Sequence, residues 1–217
     1  MKEKLAFIVL IIFTSCISNH ATKTTFGLPW KTQVIPGKIE CGFYDRGGEG
    51  IAYHDADSIN NGSGKLNPAN GSYLNEFRMH EGVDLSYTKS NNIDNNPFSK
   101  TMPLMDQLYV GWTVPDEWIN YSVEVKSSGS FNIETMYTAN GNGAISFDID
   151  GKPVTTNIII PSTHNDLDTV AWRQWHHWNK IDSLTSVNIN KGKHVITLHI
   201  VENGQMNFDY FNFIQLK

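Results

Sequence analysis

Apolar and polar residues alternate with a period of two over much of the chain. Tyr121, Val123 and Val125 share one face of residues 118–125, and Phe131, Ile133 and Tyr137 share one face of 131–137. Ile145, Phe147 and Ile149 interleave with Ser146, Asp148 and Asp150, and Asp150-Gly151 follows as a tight hairpin turn. Val187 with Ile189, then Ile196 with Leu198 and Ile200, add two strands joined by Asn190-Lys191-Gly192, and 208–216 closes the series. Side chains on a strand point to opposite faces in turn, so each stretch predicts a strand buried on one side. Shorter strands are expected near Ile39 and over 83–87. Residues 60–75 and 90–106 are rich in Asn, Gly, Ser and Pro and read as loops. The pattern predicts an all-β fold, a single antiparallel sandwich.

One stretch fits this scheme less simply. Three of the six tryptophans, Trp172, Trp175 and Trp178, fall within 169–184. On a helix the three rings would form one stripe, with Asp168 as N-cap and Ile181 continuing the line. On an extended chain odd steps change face, which sends Trp178 to the core and leaves Trp175 at the end of a loop. The polar sequence before it and the period of the rest of the chain favour loop passing into strand. An exposed indole among polar neighbours suits the stacking of a sugar ring, and three core tryptophans are the plainer alternative.

At 217 residues the chain is sized for one such domain. Charged residues make up 18% and the net charge is −5, with Lys and Arg scattered singly, so no basic patch recommends nucleic acid. The N-terminus adds a location. Lys2 and Lys4 precede an apolar run over 5–13 that is too short to cross a bilayer core of about 30 Å, which reads as a signal peptide. Phe13-Thr14-Ser15-Cys16 resembles a lipobox, making 1–15 the signal peptide and Cys16 the lipidated N-terminus of an exported protein at a bacterial cell envelope. Ordinary cleavage with an incidental Cys16 is the alternative. Residues 16–34 read as a polar tether and 35–217 as the domain. Cys41 then remains alone, a small buried residue with no disulfide partner.

Catalytic signals are sparse. His176, His177, His194 and His199 lack the spacing of a metal site, and no Gly-x-Ser-x-Gly elbow, Walker loop or dinucleotide fingerprint occurs. Asp55 and Asp57, with Glu81 and Asp84, supply carboxylates, but the pattern does not place two of them at a glycosidase's separation.

Taken together, several segments resemble carbohydrate-binding module family 6. They are Ile39-Glu40, the run Gly47-Gly48-Glu49-Gly50-Ile51-Ala52-Tyr53-His54-Asp55, Phe77-Arg78 and Glu81-Gly82-Val83-Asp84. Val110-Gly111-Trp112-Thr113, Glu117-Trp118-Ile119-Asn120-Tyr121, Trp175-His176-His177-Trp178, Gly192-Lys193-His194 and Met206-Asn207-Phe208-Asp209-Tyr210-Phe211 complete the order over 35–217. The resemblance implies a jelly-roll sandwich that binds polysaccharide, here a neutral β-linked glycan, without cleaving it. It implies a loop-edge cleft with Trp112 and Trp175 as paired aromatics, Trp172 as a neighbouring option, Asn207 as an amide bonding sugar hydroxyls, and His54 or Asp55 as a polar contributor. It also implies a structural calcium held by Glu40 and Asp209, although the family's second glutamate is Gly42 here. Glycoside hydrolases acting on the same glycan are expected partners. An enzyme or an enzyme's accessory subunit, and a structural or protein-binding sandwich, remain the competing functions.

Overall fold

A computed structural model describes residues 27–217; the signal peptide and Cys16 lie outside the described residues. In chain order the strands are β1 (Gln33–Ile35), β2 (Gly37–Glu40), β3 (Tyr53–His54), β4 (Ser63–Gly64), β5 (Asn67–Pro68), β6 (Leu85–Tyr87), β7 (Leu108–Thr113) and β8 (Trp118–Val125). They continue as β9 (Gly129–Ala139), β10 (Gly143–Ile149), β11 (Lys152–Pro153), β12 (Ile158–Ile160), β13 (Asn179–Ile189), β14 (Gly192–Glu202) and β15 (Met206–Gln215). One sheet runs β1-β8-β14-β10-β11, with β3 also on β8 and β12 also on β10. The other runs β13-β9-β15-β7-β6, with β2 also on β15. Apart from β1 on β8 and the small β4–β5 pair, the neighbours are antiparallel.

The alternating residues meet between the two sheets as expected of a sandwich. Tyr121, Val123 and Val125 of β8 and Ile196, Leu198 and Ile200 of β14 are buried from one side, Phe131 and Ile133 of β9 and Phe211 and Phe213 of β15 from the other. Phe147 and Phe211 meet edge to face across the middle, 5.1 Å between ring centres. Cys41 is buried in the same core and unpaired. At Asp150-Gly151 both residues take positive φ, 52° and 71°, the backbone that a two-residue hairpin between β10 and β11 requires. Asn190-Lys191 makes no hairpin. It carries the chain from β13 in one sheet to β14 in the other.

One expectation is revised and one is met. The domain begins before Ile35, so 16–34 is not wholly a tether. Leu28 bridges to Arg46, Trp30 packs edge-on against Phe77 at 5.0 Å, and β1 pairs with β8 from Gln33 onward. For 169–184, no long helix forms. A single 3-10 turn at Ala171–Arg173 leads through loop into β13 at Asn179, and the three indoles diverge accordingly.

Candidate functional site

The outer face of the second sheet carries its own small apolar cluster: Tyr109 of β7, Met136 of β9, Tyr210 of β15, and Trp178 laid over them. Trp178 is fully buried and meets Tyr109 edge to face at 5.3 Å. This platform is the floor on which the site stands.

At its edge the pairing of β15 with β7 is irregular between Met206 and Phe208. Asn207 fills the gap. Its Oδ1 accepts the backbone N–H of Trp112 at 2.9 Å, replacing the ladder bond that the irregularity removes. Trp112 itself sits at φ 49°, a left-handed conformation that is costly for a bulky residue and clusters at functional sites. Gly111 must lack a side chain, because a Cβ there would stand 2.8 Å from Asn207 Oδ1. The amide nitrogen of Asn207 donates to Thr138 Oγ1 at 2.9 Å and to His176 Nδ1 at 3.1 Å. With Nδ1 accepting, the His176 proton lies on Nε2 and is donated to Asp94 Oδ1 at 2.6 Å. Trp178 Nε1–H donates to the same oxygen, and the Lys89 backbone N–H donates to Oδ2. Burial alone would raise the Asp94 pKa, but the bonds from His176, Trp178 and Lys89 outweigh it and hold the carboxyl below its usual range.

The loop that carries the remaining tryptophans is anchored from below. Fully buried Asp168 accepts from Arg173 Nε at 2.6 Å and Nη2 at 2.8 Å and from the Val170 N–H, and lies 3.0 Å from His177 Nε2. The Arg173 bonds, ahead of the burial that opposes them, hold its pKa far down. Arg173 also reaches the Asn92 carbonyl, tying this loop to the one over 89–106. Thus braced, Trp175 stands half-buried and Trp172 is 58% exposed. Together with Trp112 they line a cleft of about 390 Å³. Tyr109, Asp94 and His176 lie at its base, and Leu66, Ile93 and Lys89 complete the walls.

The expected site residues therefore divide. Trp112, Trp172 and Trp175 come to one cleft. Asn207 is fully buried beside Trp112, and its amide is held by the Trp112 N–H, Thr138 and His176. His54 and Asp55 are not brought to this cleft, because the β3–β8 pairing holds them on the other sheet. There His54 pairs with Glu49 and Asp55 lines a separate depression with Tyr53 and Asp57. Asp94, His176 and Tyr109 were not singled out beforehand as site residues.

The model for carbohydrate binding module (family 6) matches residues 84–215. The chain belongs to this family. Family 6 modules bind carbohydrate and are themselves non-catalytic. The matched stretch of this family 6 module contains Trp112, Trp172, Trp175 and Asn207, whereas Leu66 and Glu40 precede it. Among solved structures, a family 6 module from Cellvibrio mixtus lichenase 5A, in complex with cellotriose, is 23% identical over 63% of this chain and 88% of that one, with a TM-score of 0.45. A module from Clostridium stercorarium, in complex with cellobiose, is 12% identical over 86% of this chain and 98% of that one, with a TM-score of 0.47. A β-1,3-glucan-binding module from Bacillus halodurans is 16% identical over 85% of this chain and 99% of that one, with a TM-score of 0.46. No curated protein matches the chain.

The calcium expected of this family 6 module finds part of a donor set. Asp209 is buried, and burial raises its pKa to about 6 against the smaller opposing pull of the Lys38 charge. Glu40 stands opposite Tyr210 on the adjacent strand, and its carboxylate is held by Lys31. The third position is closed, since a Cβ on Gly42 would lie 2.8 Å from Leu108 Cβ. Among the described residues no group of three His, Cys, Asp or Glu gathers around an ion position.

Proposed function

We propose that this protein is a non-catalytic receptor for a neutral β-linked glycan, exported and lipid-anchored through Cys16 at a bacterial cell envelope. The observation that carries the reading is the convergence of Trp112, Trp172 and Trp175 on one apolar cleft. Sugar rings present C–H faces that pack on indoles, and indoles held at fixed angles select a ring by shape. Among the described residues the one carboxylate lining the cleft, Asp94, already accepts three hydrogen bonds. Glycoside hydrolysis needs two carboxylates about 5 to 10 Å apart, so the cleft is fitted to hold a glycan rather than cut it. Enzymes acting on the same glycan are its natural partners.

Titration of intrinsic tryptophan fluorescence against a panel of β-glucans, xylans and mannans tests this. A saturable change is expected with at least one of them and no release of reducing sugar. An unchanged spectrum across the panel sinks the binding reading, and reducing sugar appearing sinks the non-catalytic one. Cys16→Ser is expected to move the protein from the membrane to the soluble fraction; a wild type already soluble removes the anchor.

A structural calcium at Asp209 and Glu40, with backbone carbonyls completing the shell, is the second part of the proposal. It rests on the burial of Asp209, whose charge Lys38 offsets only in part. A chelator is then expected to lower the melting temperature of the wild type and not of Asp209→Ala. Superimposable wild-type melting curves with and without chelator remove the ion.

A further inference from the structure

Trp112 presents its indole from a backbone that is costly to keep. Its φ of 49° lies in the left-handed region, which a bulky residue holds only where its surroundings enforce it. Its N–H is gripped by Asn207 Oδ1 at 2.9 Å. A primary amide can turn over and offer its NH2 group instead, so the grip depends on what orients Asn207.

The orientation is set by a chain of bonds whose two ends have a fixed polarity. At one end the Trp112 backbone N–H can only donate. At the other stands the Asp94 carboxylate. Burial pushes its pKa up, but the bonds from His176, Trp178 and Lys89 outweigh burial and keep the group ionised, so it can only accept. Asp94 Oδ1 therefore takes the proton on His176 Nε2, at 2.6 Å. His176 Nδ1 is left as an acceptor, and it receives Asn207 Nδ2 at 3.1 Å. That turns the Asn207 oxygen towards Trp112. Thr138 Oγ1 also receives Nδ2, at 2.9 Å, but a hydroxyl donates as readily as it accepts and so does not choose between the two orientations.

His176 is itself firmly placed. The residue is 6% exposed, and the rings of Tyr109, Trp175 and Trp178 surround its own at 5.5 to 5.8 Å between centres. Its carbonyl accepts from Asn96 Nδ2 at 3.3 Å, and its N–H donates to the Arg173 carbonyl at 2.9 Å. The charged groups that share its cleft are Asp94 and Lys89. Tyr109 of β7 is a phenol whose pKa burial pushes far up, and β9 and β15 face His176 with the neutral Thr138 and Asn207. In its own loop, Arg173 and His177 are both engaged with Asp168.

We infer that Asp94 and His176 are positioning residues for the binding cleft: Asp94 fixes the His176 proton on Nε2, His176 Nδ1 orients the Asn207 amide, and the amide holds Trp112 in its stacking pose. This inference rests on the glycan-binding reading above and adds what controls one of its indoles. The chain has one weak link. A second proton on His176 must sit on Nδ1, facing the Asn207 NH2 group, so the imidazolium breaks the chain that the neutral ring completes.

Heteronuclear NMR and glycan titration of the intact protein, from about pH 5 to 8, test this. At the upper limit the His176 ring is expected as the Nε2–H tautomer, with the Trp112 amide protected from exchange. As the ring takes its second proton, Trp112 protection is expected to fall. Affinity for mixed-linkage β-glucan, xylan or glucomannan is expected to fall with it, roughly tenfold, the worth of one stacking face. His176→Phe keeps the ring volume alone and is expected to bind weakly at every pH. His176→Gln offers one acceptor and one donor with no proton to gain, and is expected to recover binding and to lose its pH dependence. An Nδ1–H tautomer at the upper limit overturns the inference. So do Trp112 protection and affinity that stay level while the ring titrates, and a folded His176→Phe that binds like His176→Gln. If the ring stays neutral throughout, the tautomer and the two variants decide; if His176→Phe does not fold, the wild-type titration decides. If none of the three glycans binds, the tautomer and Trp112 protection still decide the chain of bonds, and the glycan reading alone falls.

Discussion

Trp175 and Trp178 stand three residues apart and have opposite tasks, which makes them the clearest pair to separate. Trp178 is fully buried and its indole N–H satisfies Asp94. Trp178→Ala is therefore expected to cost about 3 to 5 kcal/mol of stability, the usual price of deleting a core tryptophan, before any effect on binding is read. Trp175→Ala removes a half-exposed stacking face and is expected to weaken glycan binding roughly tenfold with little change in melting temperature. Thermal melts and titrations on both variants check this, and an unfolded Trp175→Ala beside a stable, non-binding Trp178→Ala would reverse the assignment. Asn207→Ala belongs with neither. It frees the Trp112 N–H, Thr138 and His176 at once, so stability and binding are expected to fall together. The contrast between the two tryptophans was legible in the sequence, because odd steps on an extended chain change face. The bonds beneath them were not. Asp94 and His176 are 82 positions apart, and neither belongs to a motif that announces the other.

Among the elements, the long strands follow the alternation of their residues, and the deviations have local causes. β1 was missed because one of its two inward residues is polar. Gln33 is buried by accepting the Glu40 N–H at 2.7 Å and donating to the Phe43 carbonyl, so an inward position carries no hydrophobic signal. The turn at Asn190-Lys191 looks like a hairpin, but which sheet each flanking strand joins is decided by packing partners far away in sequence. The loop between β12 and β13 is the element on which the site depends, and its polar composition hides how firmly it is held. Arg173→Met removes two charge-assisted bonds from buried Asp168. Breaking a buried pair from one side costs on the order of 3 to 5 kcal/mol, of which His177 recovers a part. Because Arg173 lies in the loop and not in the sandwich, the expected result is local: backbone amides around 165–177 exchange at least about tenfold faster, glycan affinity falls, and the strands keep their protection. Unchanged exchange in that loop would mean that the Asp168 anchor does not hold it.

For the molecule as a whole, two buried carboxyl groups lead the fall of stability with rising pH. Burial, the largest cause in each case, raises Glu117 to about 7 and Asp84 to about 6. Their unfolded values are near 4.5 for Glu and 3.8 for Asp. Between these limits the folded protein binds more protons than the unfolded chain, so stability falls as pH rises through the window from about 4 to about 7. Asp94 and Asp168 act in the opposite sense. Their lowered pKa values add stability above the unfolded carboxylate range, and that contribution is lost on acidification below about 4. The melting temperature is therefore expected to peak near pH 4.5 to 5 and to decline towards pH 8. Glu117 offers the sharpest check, since it accepts the N–H groups of Val114 and Ala56. Glu117→Gln removes the charge but keeps a single oxygen acceptor, so one of the two N–H groups loses its partner at every pH. Against that constant cost, the variant's melting temperature is expected to change less than the wild type's between pH 5 and 8, which flattens the decline. A wild type whose melting temperature is level or rising from pH 5 to 8 would show that these buried carboxyl groups are ionised at no cost, and that solvent or a cation reaches them in the folded state.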